Sequence, residues 1–349
     1  MAHANGTLRI SQSISVSKFR HGRRSTEFSA LRPPFAAGKT ANRGTRNRLL
    51  VFATSGKIAL VTGANTGMGK YTSEMLAREG YEVLLACRDK EKGTAAAMEI
   101  AAATGGTARF VQLDLSSLES VNSCCKKLLA EGRPISRLVN NAGIMACPAW
   151  TTQDGFESQM GTNHLGHFAL TLQILPLLQE AGKSGKVARV VNVASAAHQG
   201  CKELTMNSLA QLDEPNYVPW GAYGASKAAN ILFTRELAKR LKAENMSVTA
   251  NTLCPGLVAT DLGRYLVEGT KWYMKPVVAF VIPFMMSRAK SIPDGASTAL
   301  FLATSEKVEG ISGEYFVDSE IKTSSELTQD MNLAEQLWEA SERLTGIQF

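Results

Sequence analysis

A short apolar run followed by a glycine-rich turn constrains the fold of this chain more than any other feature. Residues 58–61 are all apolar, which is typical of a strand buried in a parallel sheet. Three glycines follow, Gly63, Gly67 and Gly69, and a helical pattern then extends to about Glu79. This order predicts a phosphate-binding turn, because glycines let the backbone approach a pyrophosphate and a helix N-terminus offers free N–H groups. A plain turn between a strand and a helix is the alternative.

Apolar strand patterns and helical patterns alternate along the rest of the chain. Further strands are predicted at 81–87, 108–113, 137–139, 186–193, 247–253 and 313–317, and helices at 89–104, 117–131, 153–182, 223–242 and 294–304. This alternation is that of βαβ units, so it predicts an α/β, Rossmann-type doubly wound parallel sheet of about seven strands with helices on both faces. Ligands of such sheets bind at the carboxyl ends of the strands.

The positive charge of the chain is concentrated near its N-terminus. Residues 1–54 hold ten Lys and Arg and a single acid, Glu27, which leaves 28 basic and 30 acidic residues in the rest. The near-neutral remainder argues against nucleic acid or an anionic membrane as a partner. The first 54 residues are rich in Ser, Thr and Arg and too poor in large apolar residues to build a core, as in an organelle transit peptide. One folded domain is expected over residues 55–349.

The leader is predicted to target the protein to the chloroplast. Serines at positions 11, 13, 15 and 17 and the run at 51–53 are similar to chloroplast transit peptides and their cleavage sites. A mitochondrial presequence is the alternative, although residues 8–24 show no well-formed basic amphipathic helix. A disordered basic tail without a targeting function is the third interpretation.

The end of the second predicted strand bears on the choice of cofactor. Dinucleotide folds that prefer NAD usually place a carboxylate there to bind the ribose 2′-hydroxyl. In this chain Cys87 ends the strand and Arg88 follows. An arginine can hold a 2′-phosphate through charge-assisted hydrogen bonds, so NADP(H) is favoured. The alternative is a solvated Arg88 before a helix, with Asp89 starting that helix.

Cysteine and histidine positions do not predict a metal site. The six cysteines lie at 87, 124, 125, 147, 201 and 254, with no spacing typical of zinc ligands, and buried reduced thiols are expected. His164 and His167 are three residues apart without a third candidate ligand nearby, so packing or surface histidines are expected.

Tyr223 and Lys227 are four residues apart in a helical pattern, so they lie on one face of the helix, one turn from each other. An ammonium close to a phenol favours the phenolate, so Lys227 is predicted to lower the pKa of Tyr223. Tyr223 would then serve as a general acid/base near neutral pH. A Tyr and a Lys at this spacing are common on helix surfaces. The predicted acid/base role therefore depends on the surrounding motifs.

Six motifs occur in one order: Thr-Gly-x-x-x-Gly-x-Gly at 62–69, Asn-Asn-Ala-Gly at 140–143, Asn163, Ser195, Tyr-x-x-x-Lys at 223–227 and Pro-Gly at 255–256. With these motifs in this order, the chain resembles the short-chain dehydrogenase/reductase family over about residues 57–345. The run at 163–168, the strand end at 86–88 and the closing segment at 337–346 look most like the retinol-dehydrogenase-like branch. Protochlorophyllide reductases are similar near relatives.

The resemblance implies that a nicotinamide cofactor exchanges hydride with a carbonyl or alcohol carbon. It implies that Tyr223 is the acid/base, that Lys227 lowers its pKa and binds the nicotinamide ribose, and that Ser195 bonds the substrate oxygen. Asn163 would hold a water that links Lys227 to a proton relay. The residues expected to bind the cofactor are Gly63, Asn65, Thr66, Gly67, Met68, Gly69, Arg88, Asp114, Leu115, Asn141, Ala142, Gly143, Tyr223, Lys227, Pro255, Gly256 and Thr260.

Two departures from the family pattern concern the region before Tyr223. The family often has two serines after the fifth strand, and here the first is Ala194, while Ser195 keeps the catalytic place. The 28 residues from Ser195 to Tyr223 are more than the family's usual dozen or so, and retinol-dehydrogenase-like members share this insertion. It is expected to shape a wall of the substrate site or to be a surface loop.

The substrate is expected to be a small lipophilic carbonyl or alcohol. Residues 277–286 are nearly all apolar and lie where the family has its substrate lid. They are too few to span a bilayer. Three roles are open for them: lining an apolar pocket, burial at a homodimer contact, or peripheral contact with a membrane surface.

The leading prediction is therefore an NADPH-dependent plastid oxidoreductase acting on a lipophilic aldehyde, ketone or alcohol. Protochlorophyllide reduction is the alternative within the same class, although Gly224 and Ala225 differ from the acid or amide that those enzymes carry there. A third hypothesis is an NADPH-sensing regulatory subunit of chloroplast protein import that binds calmodulin. Residues 326–349 hold five acids and one arginine, which argues against a calmodulin target.

We expect the leader to be absent from the mature protein, because the charge and composition change abruptly near residue 54. N-terminal sequencing of the native protein measures this directly. A native chain that starts at Met1 or Ala2 would contradict processing.

Overall fold

A computed structural model of the protein describes residues 57–183, 185–206, 209–258 and 289–349. Within these residues eight strands form one sheet in the order β3-β2-β1-β4-β5-β6-β7-β8. The strands are β1 (Ile58–Thr62), β2 (Glu82–Cys87), β3 (Ala108–Gln112), β4 (Arg137–Asn140), β5 (Ala188–Val193), β6 (Val248–Cys254), β7 (Tyr315–Val317) and β8 (Glu320–Ile321). The first seven are parallel, and β8 pairs antiparallel with β7. The predicted parallel sheet is confirmed, with one short strand more than expected.

The helices lie on both faces of the sheet, as predicted. They are α1 (Gly67–Arg78), α2 (Lys90–Thr104), α3 (Leu118–Glu131), α4 (Ser158–Met160), α5 (Gly166–Gln173), α6 (Leu175–Gly182), α7 (Pro219–Ala243), α8 (Ile292–Thr304) and α9 (Met331–Thr345). Alternate residues of each strand point to opposite faces. In β1, Ala59 and Val61 pack with α1, α2 and α8, whereas Ile58 and Leu60 pack with α3, α5, α6 and α7.

Local capping residues explain where two of the predicted helices begin and end. Asp89 accepts a hydrogen bond from the backbone of Lys92 and starts α2, which ends at Gly105 in the left-handed conformation. Ser117 likewise caps α3, which ends at the left-handed Gly132. Such side chains satisfy the free N–H groups of a first helical turn, and glycine adopts a positive φ without strain.

The segment predicted as one helix over 153–182 is divided in the structure. It begins only after Glu157, whose carboxylate accepts hydrogen bonds from the backbone of Gln159 and Met160. A π-helical turn, Gly161–Leu165, separates α4 from α5. Pro176 cannot continue α5, because it has no N–H to donate, so α6 starts anew at this point.

The insertion before Tyr223 contributes to a small core of its own. Its residues Cys201, Leu204, Leu209 and Ala210 pack with apolar side chains of α7 and of α9: Ala228, Ala229, Leu232, Ala334, Leu337 and Ala340. The α7 members of this core lie on the helix face opposite Tyr223. These four residues of the insertion therefore cover the back of α7.

The end of the insertion returns to the carboxyl edge of the sheet. The hydroxyl of Tyr217 lies 3.2 Å from the carbonyl of Cys147 and accepts a hydrogen bond from the side chain of Gln159 at 2.8 Å. Residues 277–286 lie outside the described residues. None of the described helices is long and apolar enough to cross a membrane.

Candidate active site

The glycine-rich turn leaves β1 at the point where the strand order reverses, between β2 and β4. Gly63 has φ +63°, a conformation that side chains other than glycine rarely adopt. A Cβ on Gly69 would lie 2.5 Å from both the carbonyl oxygen of Gly63 and the side-chain nitrogen of Asn141. The glycines are thus needed for a tight turn that packs directly against the loop after β4.

The N-terminus of α1 is suited to a phosphate. Its N-cap residue, Thr66, makes no side-chain capping bond, and the first turn of the helix contains no acid. The free N–H groups and positive end of the helix dipole at α1 favour an anion, so the turn fits the pyrophosphate of a dinucleotide. Asn65 and Met68, both predicted contacts, lie half-buried in this turn.

The loop after β4 is tied to the end of β1 by one hydroxyl. Thr62 Oγ1 accepts hydrogen bonds from the backbone N–H groups of Asn141 and Ala142, each at 2.9 Å. The side chain of Asn141 returns a bond to the carbonyl of Thr62 at 2.9 Å. Two predicted cofactor segments, the glycine turn and residues 141–143, therefore form one surface at the carboxyl edge of the sheet.

The end of β2 lies against the same turn. The backbone amides of Ala64 and Asn65 face the Cys87 sulfur, and burial raises the pKa of this thiol to about 11. Arg88 follows and is exposed. Among the described residues it forms no ion pair, so its guanidinium is available to a ligand next to the turn.

The end of β3 carries two further predicted cofactor contacts, Asp114 and Leu115. Asp114 is half-buried, and its carboxylate accepts hydrogen bonds from the backbone and hydroxyl of Ser116, at 3.0 and 2.6 Å. Leu115 is buried, with its backbone carbonyl close to Gly166 of α5. Any contact of Leu115 with a cofactor would therefore involve mainly its backbone.

Tyr223, Lys227 and Ser195 come together at the carboxyl edge. Tyr223 is 4% exposed and Lys227 is 3% exposed. The Lys227 ammonium lies 5.8 Å from the centre of the Tyr223 ring and donates a hydrogen bond to the carbonyl of Val193, at the end of β5, at 2.9 Å. The Ser195 side chain is near enough to the Tyr223 phenol to lower its pKa. The structure thus unites three of the four predicted catalytic residues on α7 and the end of β5.

The pKa values of this pair correct one sequence-based expectation. Burial raises the pKa of Tyr223 to about 12, while the Ser195 hydrogen bond lowers it and the Cys254 thiol raises it further. Burial likewise lowers the pKa of Lys227 to about 8. The prediction that the lysine would bring the phenol below its ordinary pKa is therefore wrong, because burial raises the pKa of Tyr223. At neutral pH the phenol keeps its proton and can donate it.

Asn163 lies in the π-helical turn and locks the loop after β4 in place. Its side-chain oxygen accepts a hydrogen bond from the backbone of Ile144, and its side-chain nitrogen donates to the Ile144 carbonyl and to the Ser226 hydroxyl, all at 2.9 Å. A Cβ on Gly143 would lie 3.2 Å from the Asn163 oxygen and 3.6 Å from the Lys227 nitrogen. Asn163, Gly143 and Lys227 are thus immediate neighbours, and the water role of Asn163 stays a prediction.

The remaining predicted residues follow β6. Pro255 is buried and Gly256 is exposed, with φ +79°. Thr260 lies outside the described residues. Among the described residues no group of three His, Cys, Asp and Glu side chains could hold a metal ion. His164 and His167 are both buried, and burial lowers their pKa values to about 3 and 4, so both rings are neutral at neutral pH.

The sequence analysis missed two residues that shape the site. Thr62 was read only as the start of the glycine motif, yet its hydroxyl joins two loops. Trp220 lies one turn before Tyr223 on the same helix face, and the two rings are 6.1 Å apart, edge to face. Its spacing from Tyr223 was the available signal, because residues three apart on a helix are neighbours.

A protonated phenol and a serine hydroxyl can together bind and protonate a carbonyl oxygen, and the neighbouring glycine turn fits a dinucleotide. These properties define an oxidoreductase that acts on alcohol and carbonyl groups with a nicotinamide cofactor. The chain belongs to the short-chain dehydrogenase family, which it matches over residues 57–271.

Relatives place the chain in the retinol-dehydrogenase-like branch of that family. It is 41% identical to retinol dehydrogenase 11 of Mus musculus over 293 residues, which cover 84% of this chain and 87% of that protein. It is 42% identical to retinol dehydrogenase 12 of Mus musculus over 295 residues, covering 84% of this chain and 88% of that protein.

Solved structures of similar fold include cofactor complexes. An uncharacterized protein from Mycobacterium paratuberculosis is similar with a TM-score of 0.64 and 34% identity, covering 84% of this chain and 94% of that one. The 3-ketoacyl-(acyl-carrier-protein) reductase of Brucella melitensis complexed with NADH has a TM-score of 0.56 and 26% identity, covering 75% and 96%. The Pseudomonas aeruginosa RhlG/NADP complex has a TM-score of 0.57 and 27% identity, covering 75% and 94%.

We expect Tyr223→Phe to lower kcat by at least about 100-fold while leaving the cofactor Kd nearly unchanged, because positioned acid/base groups contribute about 10²–10⁴-fold and the ring still packs. Steady-state kinetics and fluorescence titration of the cofactor measure the two effects. Tyr81→Phe is the matched control, since Tyr81 is also buried but lies at the start of β2, on the other edge of the sheet. Turnover of Tyr223→Phe within about tenfold of wild type would exclude the acid/base role.

Proposed function

We propose that this protein is an NADP(H)-dependent plastid oxidoreductase that interconverts a carbonyl and an alcohol on a lipophilic, retinal-like substrate. The observation that carries the substrate class is the position of Trp220. Its ring is 50% exposed and in edge-to-face contact with the ring of Tyr223, so an apolar surface borders the acid/base. The names of the retinol dehydrogenase relatives support the same class.

Other exposed apolar side chains add to this interpretation. Val218 precedes α7, and Leu257 follows β6, so both lie on segments at the carboxyl edge of the sheet. Exposed apolar side chains near a site favour a substrate that buries apolar area on binding. A small, strongly hydrated substrate would gain little from these contacts.

When bound, the nicotinamide cofactor supplies or accepts the hydride. In the direction of carbonyl reduction, Tyr223 donates its phenolic proton to the substrate oxygen, and the Ser195 hydroxyl bonds the same oxygen. Lys227, held by the Val193 carbonyl, has a pKa of about 8 and is therefore positively charged at neutral pH. This charge stabilises the phenolate that forms. The raised pKa of Tyr223 supports this direction, since the phenol is protonated before the reaction.

The position of Arg88 supports the choice of NADP(H). The described residues place no carboxylate at the end of β2, where Cys87 faces the glycine turn and Arg88 is exposed. A guanidinium in this position matches a 2′-phosphate. The cofactor-bound neighbours include one with NADH and one with NADP, so the preference depends on residues of this chain.

The position of α9 bears on the regulatory hypothesis. Leu337 and Trp338 of this acidic helix are buried, and Trp338 packs against the rings of Phe168 and Phe233. A helix whose apolar face is already packed has no free face for a calmodulin-type partner. This supports an enzyme rather than a calmodulin-binding sensor. The plastid location rests on the leader composition alone.

A substrate panel tests the proposed function. The full chain is assayed with NADPH and all-trans-retinal, decanal, glyceraldehyde or protochlorophyllide, the last in darkness and in light. We expect kcat/KM for retinal or decanal to exceed that for glyceraldehyde by at least about 100-fold, because burying several CH₂ groups contributes about 0.8 kcal/mol each. A preference for glyceraldehyde would contradict the lipophilic class. Light-dependent loss of protochlorophyllide without retinal turnover would favour the alternative reductase.

We expect Arg88→Ala to raise the Kd of NADPH about 10- to 150-fold and leave that of NADH nearly unchanged, because a charge-assisted pair of this kind contributes about 1.5–3 kcal/mol. Fluorescence titration with each cofactor measures the change. Arg78→Ala is the matched control: it removes the same charge at the far end of α1, where Arg78 pairs with Glu74. Equal weakening of both cofactors by Arg88→Ala would remove the main support for NADP(H).

A further inference from the structure

Two buried histidines, His164 and His167, have no part in the proton transfer described above, and they have different partners. His164 lies 2.8 Å from the hydroxyl of Ser341 in α9, with its ring close to that of Phe233. His167 lies with Nδ1 2.9 Å from the backbone carbonyl of Asn163 and with Nε2 2.9 Å from the hydroxyl of Thr62. Only His167 therefore connects two elements of the active site.

The partners of His167 determine which ring nitrogen carries the proton. A backbone carbonyl can only accept, so Nδ1 of His167 donates to Asn163. Burial lowers the pKa of His167 to about 4, and the nearby charge of Lys227 lowers it too, so the ring is neutral. Nε2 is then an acceptor, and the hydroxyl of Thr62 donates to it.

The direction of this bond orients the hydroxyl of Thr62. Once its proton points at His167, its oxygen presents lone pairs to the backbone N–H groups of Asn141 and Ala142. Without that acceptor the hydroxyl could turn to the carbonyl of Val139, which lies 3.5 Å away. His167 therefore favours a hydroxyl orientation that leaves the lone pairs of the oxygen to the loop after β4.

The other bond of His167 supports the π-helical turn. Asn163 lies within this turn, Gly161–Leu165, and its side chain holds the backbone of Ile144 and the hydroxyl of Ser226. A π turn accommodates one residue more than an α-helical turn, and such turns are frequent at functional sites. Relaxation by one residue would rotate the Asn163 side chain by about 100°. A bond from His167 to the Asn163 carbonyl opposes this rotation.

We propose that His167 is a positioning residue that joins the turn carrying Asn163 to Thr62, and through Thr62 to the cofactor loop at residues 141–143. Loss of the His167 imidazole lowers cofactor affinity and turnover together, because Thr62 and the turn carrying Asn163 each lose a hydrogen bond. This inference rests on the nicotinamide cofactor of the family and not on the proposed substrate or on the preference for NADP(H).

His167→Phe and His164→Phe form a matched pair in the full chain, since each replaces a buried neutral imidazole by a ring that makes no hydrogen bond. We expect His167→Phe to raise the Kd of NADPH and of NADH about tenfold, and to lower kcat with all-trans-retinal about tenfold, since two hydrogen bonds of about 0.5–1.5 kcal/mol each are lost and 1.4 kcal/mol is tenfold. His164→Phe should lower the Tm about as much as His167→Phe does. It should leave the cofactor Kd values and kcat within about twofold of wild type.

His167→Gln tests rescue, because its amide retains a donor and an acceptor. We expect it to keep both cofactor Kd values within about threefold of wild type. The titrations contain no substrate, so a failure of the proposed substrate class does not affect them. A folded His167→Phe protein with wild-type Kd and kcat, or equal effects of the two Phe variants on these constants, would overturn the proposal.

Should His167→Phe not fold, a double-mutant cycle in NADPH affinity between Thr62→Val and the smaller replacement His167→Ala, which also removes the acceptor, decides the question. The two changes act on the same bond, so we expect their effects on the Kd to be non-additive by at least about threefold. Additive effects would overturn the link between the two side chains.

Discussion

The active site depends on the junction between the ends of β1 and β4, where the Thr62 hydroxyl accepts two backbone hydrogen bonds from Asn141 and Ala142. The strand order reverses at this junction, so no neighbouring strand fills the space above it. The glycine turn and the loop after β4 meet there, and Asn163 and Lys227 lie against the same loop. One hydroxyl thus connects the predicted cofactor surface with the loop that Asn163 and Lys227 contact.

Burial gives the two central groups their chemistry. Tyr223 and Lys227 are almost completely shielded from water, which raises the pKa of the phenol and lowers that of the ammonium. Both shifts favour the neutral forms, so a charged ligand or developing charge at the site has a large effect on them. The insertion and α9 cover the back of α7 and anchor the helix that carries both side chains.

Much of the fold and of the candidate site could be predicted from local patterns. Apolar runs predicted seven of the eight strands, because a strand buried on both faces needs continuous apolar residues. The glycines of the first turn predicted the tight turn that the structure shows, since few other residues allow its backbone. Motif order indicated that Ser195, Tyr223 and Lys227 belong together, and the structure brings them to one edge of the sheet.

The sequence by itself determined the order of strands and helices, the glycine turn and the residue types of the acid/base site, because these depend on near neighbours along the chain. Only the tertiary structure decided the pKa direction of Tyr223, which follows from its burial beneath distant segments. The same holds for the division of the helix around Asn163 and for the link from His167 to Thr62, 105 positions apart. Desolvation and long-range hydrogen bonds arise only when such segments pack together.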